Sequence, residues 1–147
     1  MHLLPVPDRE GAAMSQTLHG GCACGAVRYE AVAEPVLMLN CHCRHCQQAS
    51  GSAYAATLVL PASSVQVTGE MRYFRREGGK GAVERGFCPV CGSPVVLRLE
   101  RLPDLIAVHA ASLDDPSAYK PAMDIFTASA QAWDVMDPDL PKRPHGL

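Results

Sequence analysis

Seven cysteines at metal-binding intervals are the residues of this chain best suited to chemistry. They form a first pair (Cys22 and Cys24), a central trio (Cys41, Cys43 and Cys46) and a last pair (Cys88 and Cys91). Gaps of one or two residues let neighbouring sulfurs reach the same tetrahedral ion. A structural zinc site takes four protein ligands, whereas a substrate-binding site leaves one position open. The pattern therefore predicts two zinc ions, one structural and one facing a substrate.

Spacing alone permits two ways of sharing the seven sulfurs. In one, the first and last pairs combine as an outer quartet, and the central trio holds a second ion at three corners. In the other, Cys43 and Cys46 combine with the last pair as a two-knuckle ribbon, which leaves the first pair and Cys41 without partners. The spacing does not choose between these arrangements.

Three thiolates on one zinc ion leave the site with a net charge of about −1, which makes the metal a weak Lewis acid. Such a site is poorly suited to generating hydroxide. It can still bind a fourth thiol from outside and hold it as a thiolate, because metal binding lowers a thiol pKa that is normally about 8.5. That thiolate can attack an aldehyde carbon. His42 and His45 are alternative fourth ligands, although their tight spacing favours positions behind the ligands or in solvent.

The composition and charge of the chain argue against several classes of protein. The chain has 147 residues and a formal net charge of −2, which gives no support to nucleic-acid binding. Its longest apolar stretch, residues 53–61, is far shorter than the roughly 20 residues of a membrane span. No signal peptide is evident, and an odd number of cysteines argues against a disulfide framework. We therefore expect a protein of the reducing cytoplasm that has no membrane partner.

Frequent glycines and prolines favour short strands over long helices as the elements that position the cysteines. We predict strands over 27–32, 36–39, 53–60, 65–68, 71–75, 95–99 and 105–108, with Gly69-Glu70 joining the fourth and fifth of these in a hairpin. A helical turn is predicted over 43–50, ended by Gly51. We expect 1–13 to be a loose extension, 14–147 to be a single zinc-binding domain, and 114–147 to wrap around it as irregular chain.

Three stretches resemble the motifs of a known family. They are Gly21 to Tyr29 (GCACGAVRY), Cys41 to Cys46 (CHCRHC) followed by Ser50-Gly51, and Gly86 to Ser93 (GFCPVCGS). Together they resemble the glutathione-dependent formaldehyde-activating enzyme family, which includes centromere protein V. The resemblance runs from about Leu18 to about Pro144. In the C-terminal stretch 114–147, here called the tail, Asp124-Ile125 and Ala132-Trp133 stand where the family often has His-Ile and Pro-Trp.

The resemblance implies a mainly β fold with little helix, a zinc-stabilised β-tent of packed antiparallel sheets. It implies that the outer quartet holds a structural zinc, and that the central trio holds a catalytic zinc facing the substrate. By the same resemblance, glutathione and formaldehyde would be substrates and S-hydroxymethylglutathione the product, which makes the protein a carbon–sulfur lyase or synthase.

Two other functions compete with that of an enzyme: a non-catalytic zinc-stabilised binding or scaffold protein, and a redox or metal sensor that uses the central trio. Because glutathione carries two carboxylates, an enzyme of this kind needs a cationic contact, for which Arg44 is the first candidate. Lys80 and Arg85 are weaker candidates that are more typical of solvated surface. Tyr54 and Trp133 could line the pocket, although a single tryptophan more often lies in the core.

Overall fold

Two β-sheets make up most of the chain that the computed structural model describes, which is residues 17–147. The strands, in chain order, are β1 (Leu18–Gly21), β2 (Arg28–Ala31), β3 (Leu37–Cys41), β4 (Ala55–Pro61), β5 (Val65–Thr68), β6 (Arg72–Arg76), β7 (Val83–Phe87), β8 (Pro94–Leu99), β9 (Leu105–His109), β10 (Met123–Ile125) and β11 (Lys142–Arg143). The mainly β prediction is confirmed. The extension predicted for residues 1–13 lies outside the described residues.

The smaller sheet has the order β1-β2-β5, and the larger has the order β11-β10-β3-β4-β9-β8-β7-β6. Most neighbouring strands are antiparallel, as expected. The exception is β10, which pairs in parallel with both β3 and β11. The tail is therefore less irregular than predicted, because two short strands attach it to the edge of the larger sheet beside β3.

The predicted hairpin between 65–68 and 71–75 is wrong. Strand β5 pairs with β2 in the smaller sheet, whereas β6 pairs with β7 in the larger one. Gly69 has φ +93°, and a Cβ at this position would lie 2.0 Å from the carbonyl oxygen of Ala26. This close approach allows the chain to leave the smaller sheet, so the glycine marks a crossing between sheets and not a hairpin turn.

One α-helix in the described chain, α1 (Arg44–Ser50), follows β3 directly and confirms the predicted helical turn. Cys43 is its N-cap, because the sulfur accepts a hydrogen bond from the backbone N–H of Cys46 at 3.3 Å. Gly51 ends the helix in a left-handed conformation with φ +66°. Short 3₁₀ turns lie at Ala62–Ser64, Ala110–Ser112, Pro116–Ala118 and Thr127–Ser129.

The main core lies between the two sheets. Alternate residues of the central strands, such as Leu58, Leu60 and Val108, are fully buried there against Ala31 of β2 and Val27, which precedes that strand. A second cluster lies on the opposite face of the larger sheet, under α1. It contains Leu39, Cys41, Cys46, Ala55 and Ile125. The central trio therefore lies on a different face of the larger sheet from the main core.

Candidate metal centres and substrate cleft

The outer quartet lies where the two sheets meet. Cys22 and Cys24 belong to the loop between β1 and β2 of the smaller sheet, and Cys88 and Cys91 belong to the loop between β7 and β8 of the larger one. All four sulfur atoms lie within 4.8 Å of one another. An ion held at this point would join loops that are far apart in the sequence and belong to different sheets.

The spacing of these sulfurs fits a tetrahedral zinc ion. Cys22 Sγ lies 3.6 Å from Cys24 Sγ, and Cys24 Sγ lies 3.8 Å from Cys88 Sγ. Four sulfurs bound at about 2.3 Å around a tetrahedral ion are separated by about 3.8 Å. Cys22 and Cys88 are buried, whereas Cys24 and Cys91 are exposed. The donor set and its geometry both match a structural zinc site.

Backbone and hydroxyl donors point at the same sulfurs. The N–H of Val27 donates to Cys22 Sγ at 3.2 Å, and the N–H of Val90 donates to Cys88 Sγ at 3.4 Å. Hydrogen bonds from the hydroxyl and the backbone of Ser93 lower the pKa of Cys91 to about 5. Donors arranged in this way favour the thiolate, which is the form that binds a metal.

The central trio forms a second group, with all three sulfurs within 4.8 Å of one another. Cys41 ends β3, Cys43 caps α1, and Cys46 lies in the first turn of that helix. Among residues 17–147, no metal-ligand group combines Cys43 and Cys46 with the last pair. The sulfurs are thus grouped as the family resemblance implies, and the two-knuckle ribbon is not formed.

The three thiols of the trio perturb one another strongly. Hydrogen bonds from Cys41 and Cys46 lower the pKa of Cys43 to about 2. Hydrogen bonds with Cys43 and Cys46 raise the pKa of Cys41, and burial adds to the effect. The hydrogen bond with Cys41 lowers the pKa of Cys46, but its interaction with Cys43 and its burial outweigh this and raise the pKa to about 11. Three such thiols ionise together only around a cation, so this donor set also fits zinc.

No histidine or carboxylate of the described chain joins the trio as a fourth ligand. His45 is exposed on α1. His42 is completely buried, and both of its ring nitrogens face carboxylates. Its Nε2 lies 3.0 Å from Asp124 Oδ1, and its Nδ1 lies 3.2 Å from Asp134 Oδ2 without the alignment of a hydrogen bond. His42 therefore anchors the tail behind the trio.

Asp124 is the centre of a buried polar network. Lys142 Nζ lies 2.8 Å from its Oδ2, and Asn40 Nδ2 donates to its Oδ1 at 3.0 Å. Burial alone would raise the pKa of Asp124, but the Lys142 ammonium and the hydrogen bonds with His42 and Asn40 outweigh it and hold the pKa below its usual range. The residue that departs from the family motif thus pairs with the histidine inside the central cysteine motif.

The cationic candidates occupy different positions. Arg44 is exposed at the start of α1, where its Nη1 donates to Gln47 Oε1 at 2.6 Å. Lys80 is exposed in the loop before β7. Arg85 is half-buried, and its Nη2 lies 3.7 Å from Cys46 Sγ. Because β7 is four strands from β3 in the larger sheet, this contact indicates that the twisted sheet curls around α1.

A cleft of about 630 Å³ opens between the outer quartet and the chain that follows α1. Its volume falls in the range of small-molecule pockets. Tyr54, Ser50, Ser52 and His109 line one part, and Arg28 and Asp114, which form an ion pair, line another. Tyr54 lies on the cleft as suggested, whereas Trp133 is 68% exposed and belongs to neither the core nor this cleft.

His109 is a site residue that the sequence analysis did not identify. It is 9% exposed at the end of β9 and lines the cleft. Burial, together with the positive charge of Arg85, lowers its pKa to about 4. The signal available in the sequence is an imidazole at the end of an otherwise apolar strand, LIAVH. At such a position, period-2 alternation places the ring on one defined face of the sheet.

No helix of residues 17–147 is long and apolar enough to cross a membrane.

Comparison of the sequence with family models and with curated proteins leads to the same family name. The family of glutathione-dependent formaldehyde-activating enzymes matches residues 17–129. A curated Halomonas elongata protein with the provisional name of such an enzyme is 32% identical over 103 residues, which are 66% of each chain. This chain thus spans just under two thirds of that relative's length. A crystal structure of a Rhodobacter sphaeroides protein superposes with a TM-score of 0.55 at 21% identity, over 68% of this chain and 93% of that one, which indicates a shared fold.

Proposed function

The chain belongs to the glutathione-dependent formaldehyde-activating enzyme family, and we propose that it is an enzyme that joins a small thiol to an aldehyde at the central trio. Glutathione and formaldehyde are the substrates that the family suggests, and S-hydroxymethylglutathione would be the product. In class, the protein would be a carbon–sulfur lyase or synthase. We also propose that each cysteine group holds one zinc ion, which is structural at the outer quartet and faces the substrate at the central trio.

The observation that carries this proposal is the incomplete ligand set of the trio. Three sulfurs converge, and no fourth histidine, cysteine or carboxylate of residues 17–147 joins them. His42, the nearest alternative in sequence, has both ring nitrogens directed at tail carboxylates. A closed structural site needs four protein ligands, so three sulfurs leave room for a ligand from outside.

When bound at the trio, zinc would hold an incoming thiol in its nucleophilic, thiolate form. The residues around the trio would support that state. The backbone N–H of Cys46 donates to Cys43 Sγ, and the guanidinium of Arg85 lies beside Cys46 Sγ. Both donors offset negative charge on sulfur, which accumulates when a fourth thiolate enters.

Arg44 is our candidate contact for a carboxylate of glutathione. It lies inside the central motif, and its hydrogen bond to Gln47 leaves other guanidinium nitrogens free to face a ligand. All seven cysteines are unbridged thiols. This state suits a reducing compartment such as the cytoplasm, where glutathione is available.

An NMR exchange experiment tests the activity. Zinc-loaded protein is mixed with ¹³C-formaldehyde and a panel of thiols, and the rate of interconversion between free aldehyde and thiol adduct is compared with the rate without protein. We expect acceleration with glutathione, and none from the Cys43→Ser variant. A Gln48→Ser variant changes an exposed residue of the same helix and should behave like the wild type.

Absence of acceleration with every thiol and aldehyde tried would contradict the proposal. If zinc analysis still gave two ions per chain in that case, the protein would be a zinc-stabilised binding or scaffold protein.

A further inference from the structure

The ring of His109 lines the cleft without a polar partner in the described chain. Its side chain is 9% exposed, and within residues 17–147 neither ring nitrogen has a hydrogen bond or an ion pair. The Ser112 hydroxyl donates to the backbone carbonyl of His109 at 2.6 Å, which fixes the strand end but leaves the ring unpaired. The ring nitrogens are not among the buried unsatisfied atoms of residues 17–147, so they remain accessible from the cleft. An imidazole that lines a cleft without a polar partner is available to a ligand.

Strand register places this ring on the face of the larger sheet that carries the trio. Cys41 pairs with Ala55, and Thr57, two residues further along β4, pairs with His109. Paired residues share a face, and so do alternate residues of one strand. The pairs from β9 through β8 to β7 put Arg85 on the same face. His109 therefore lies between the strand that ends in Cys41 and the arginine that reaches Cys46.

The ring is neutral near pH 7, because burial and the charge of Arg85 lower its pKa to about 4. A neutral imidazole has one N–H donor and one acceptor nitrogen. Such a donor can polarise a carbonyl group without giving up its proton, as a neutral histidine does in other enzymes. The cleft thus contains a hydrogen-bond donor on the face of the larger sheet that carries the trio.

We propose that His109 is a catalytic residue whose ring N–H hydrogen-bonds the aldehyde oxygen while a thiolate attacks the carbonyl carbon. This inference rests on the proposed function. The thiol proton passes to water when the thiolate forms. A sulfur lone pair then makes the C–S bond, the carbonyl π pair moves onto oxygen, and that oxygen takes a proton from water. His109 keeps its proton throughout and stabilises the negative charge that develops on oxygen.

Two substitutions distinguish the effect of the N–H donor from the effect of the ring's volume. His109→Phe keeps a ring but has no N–H, and His109→Gln keeps an N–H donor. We expect His109→Phe to lower the rate constant for adduct formation about 100-fold or more, the usual effect of removing one such donor, and His109→Gln to recover part of the loss. Thiol binding, followed by the thiolate charge-transfer bands of cobalt-loaded protein, should change less than twofold in either variant. His145→Phe, at an exposed histidine of the tail, is the matched control.

The same experiment distinguishes this inference from the proposed function on which it rests. If the wild-type protein accelerates adduct formation and folded His109→Phe does so equally well, the inference is overturned and the function stands. If His109→Phe weakens thiol binding as much as it slows the rate, His109 has a structural role and the inference is again overturned. If His109→Phe does not fold, His109→Ala takes its place. A wild-type protein without activity overturns both.

Discussion

The Nε2 atom of His42 lies 3.0 Å from Oδ1 of Asp124, although the two residues are 82 positions apart in the sequence. Both side chains are buried, and Lys142 and Asn40 complete the carboxylate's partners. The contact links the middle of the central cysteine motif to the tail. The backbone N–H of His42 also donates to the carbonyl of Ile125 at 2.9 Å, so main chain and side chain hold the same junction.

Asp124→Ala should therefore destabilise the protein strongly. The change leaves the buried His42 ring and Asn40 amide without their acceptor and removes the ion-pair partner of the partly exposed Lys142, and each buried polar group left unsatisfied costs about 1–3 kcal/mol. Urea unfolding followed by circular dichroism measures the loss. Asp139→Ala removes an exposed carboxylate from the same tail and should change the free energy of unfolding by less than about 0.5 kcal/mol. Equal effects of the two variants would show that the network does not stabilise the tail.

Cys88→Ser should prevent stable folding. Cys88 is fully buried between the sheets, and its sulfur belongs to the outer quartet. Binding of a structural zinc supplies folding free energy of about 10 kcal/mol or more in small zinc domains. Thermal melting and metal analysis test this, with Val90→Ser as the control at an exposed position of the same turn. A variant that melts like the wild type with full zinc content would show that the quartet is assigned wrongly.

Cys43→Ser should lose one zinc and keep the fold. The trio is local in sequence and closes no long loop, so its ion contributes little to holding distant segments together. Circular dichroism should show an unchanged spectrum, and metal analysis should give one ion per chain. Global unfolding of this variant would move Cys43 into the structural set.

Short sequence patterns predicted those elements of the structure that depend on residues close together in the sequence. The helix α1 was predicted as a short helical turn ended by Gly51, and the structure adds that Cys43 is its N-cap. Strand β5 was predicted with its observed bounds because VQVT alternates. The sulfurs of the trio lie within six positions, which made them candidates for one ion, but spacing alone also allowed Cys43 and Cys46 to join the last pair; the structure groups the three together.

Contacts between distant segments could not be predicted in this way. Gly69-Glu70 has the composition of a hairpin turn, but the approach of Gly69 to Ala26 comes from sheet packing. Arg85 resembles a surface charge in the sequence, and its contact with Cys46 exists because the larger sheet curls. The role of His42 depended on a tail residue 82 positions away. Each of these features follows from the pairing of strands, which a single sequence does not specify.

Acid should destabilise the protein through His109. Its pKa is about 4 in the folded state and about 6.5 in the unfolded state, so the unfolded chain binds the proton more tightly. The stability that the neutral ring contributes is present above pH 6.5 and is lost as the pH falls toward 4, by about 3 kcal/mol over that window. The charged and titratable groups near the ring are Arg85 and, along the cleft, Arg28, Asp114, Tyr54 and Cys22.

Denaturation of the wild type and of His109→Gln between pH 4 and 7.5 measures this contribution. Loss of metal in acid affects both proteins, so the difference between their free energies of unfolding isolates the histidine. The difference should change by about 3 kcal/mol across the range. If the free energies of unfolding of the two proteins change in parallel with pH, the ring has a normal pKa in the folded protein.

Arg44→Ala should weaken the binding of thiols that carry carboxylates. A guanidinium–carboxylate hydrogen bond contributes about 1.5–3 kcal/mol when the charge is well placed, and the hydrogen bond to Gln47 restrains Arg44 beside the trio. Cobalt-loaded protein reports binding through its charge-transfer bands, so glutathione should require at least a 10-fold higher concentration in the variant. 2-Mercaptoethanol, which lacks a carboxylate, should bind both proteins equally. Arg101→Ala, at an exposed arginine of the turn after β8, controls for loss of net charge. If Arg44→Ala weakens the binding of glutathione and of 2-mercaptoethanol equally, Arg44 supports the trio through α1 and does not contact the ligand.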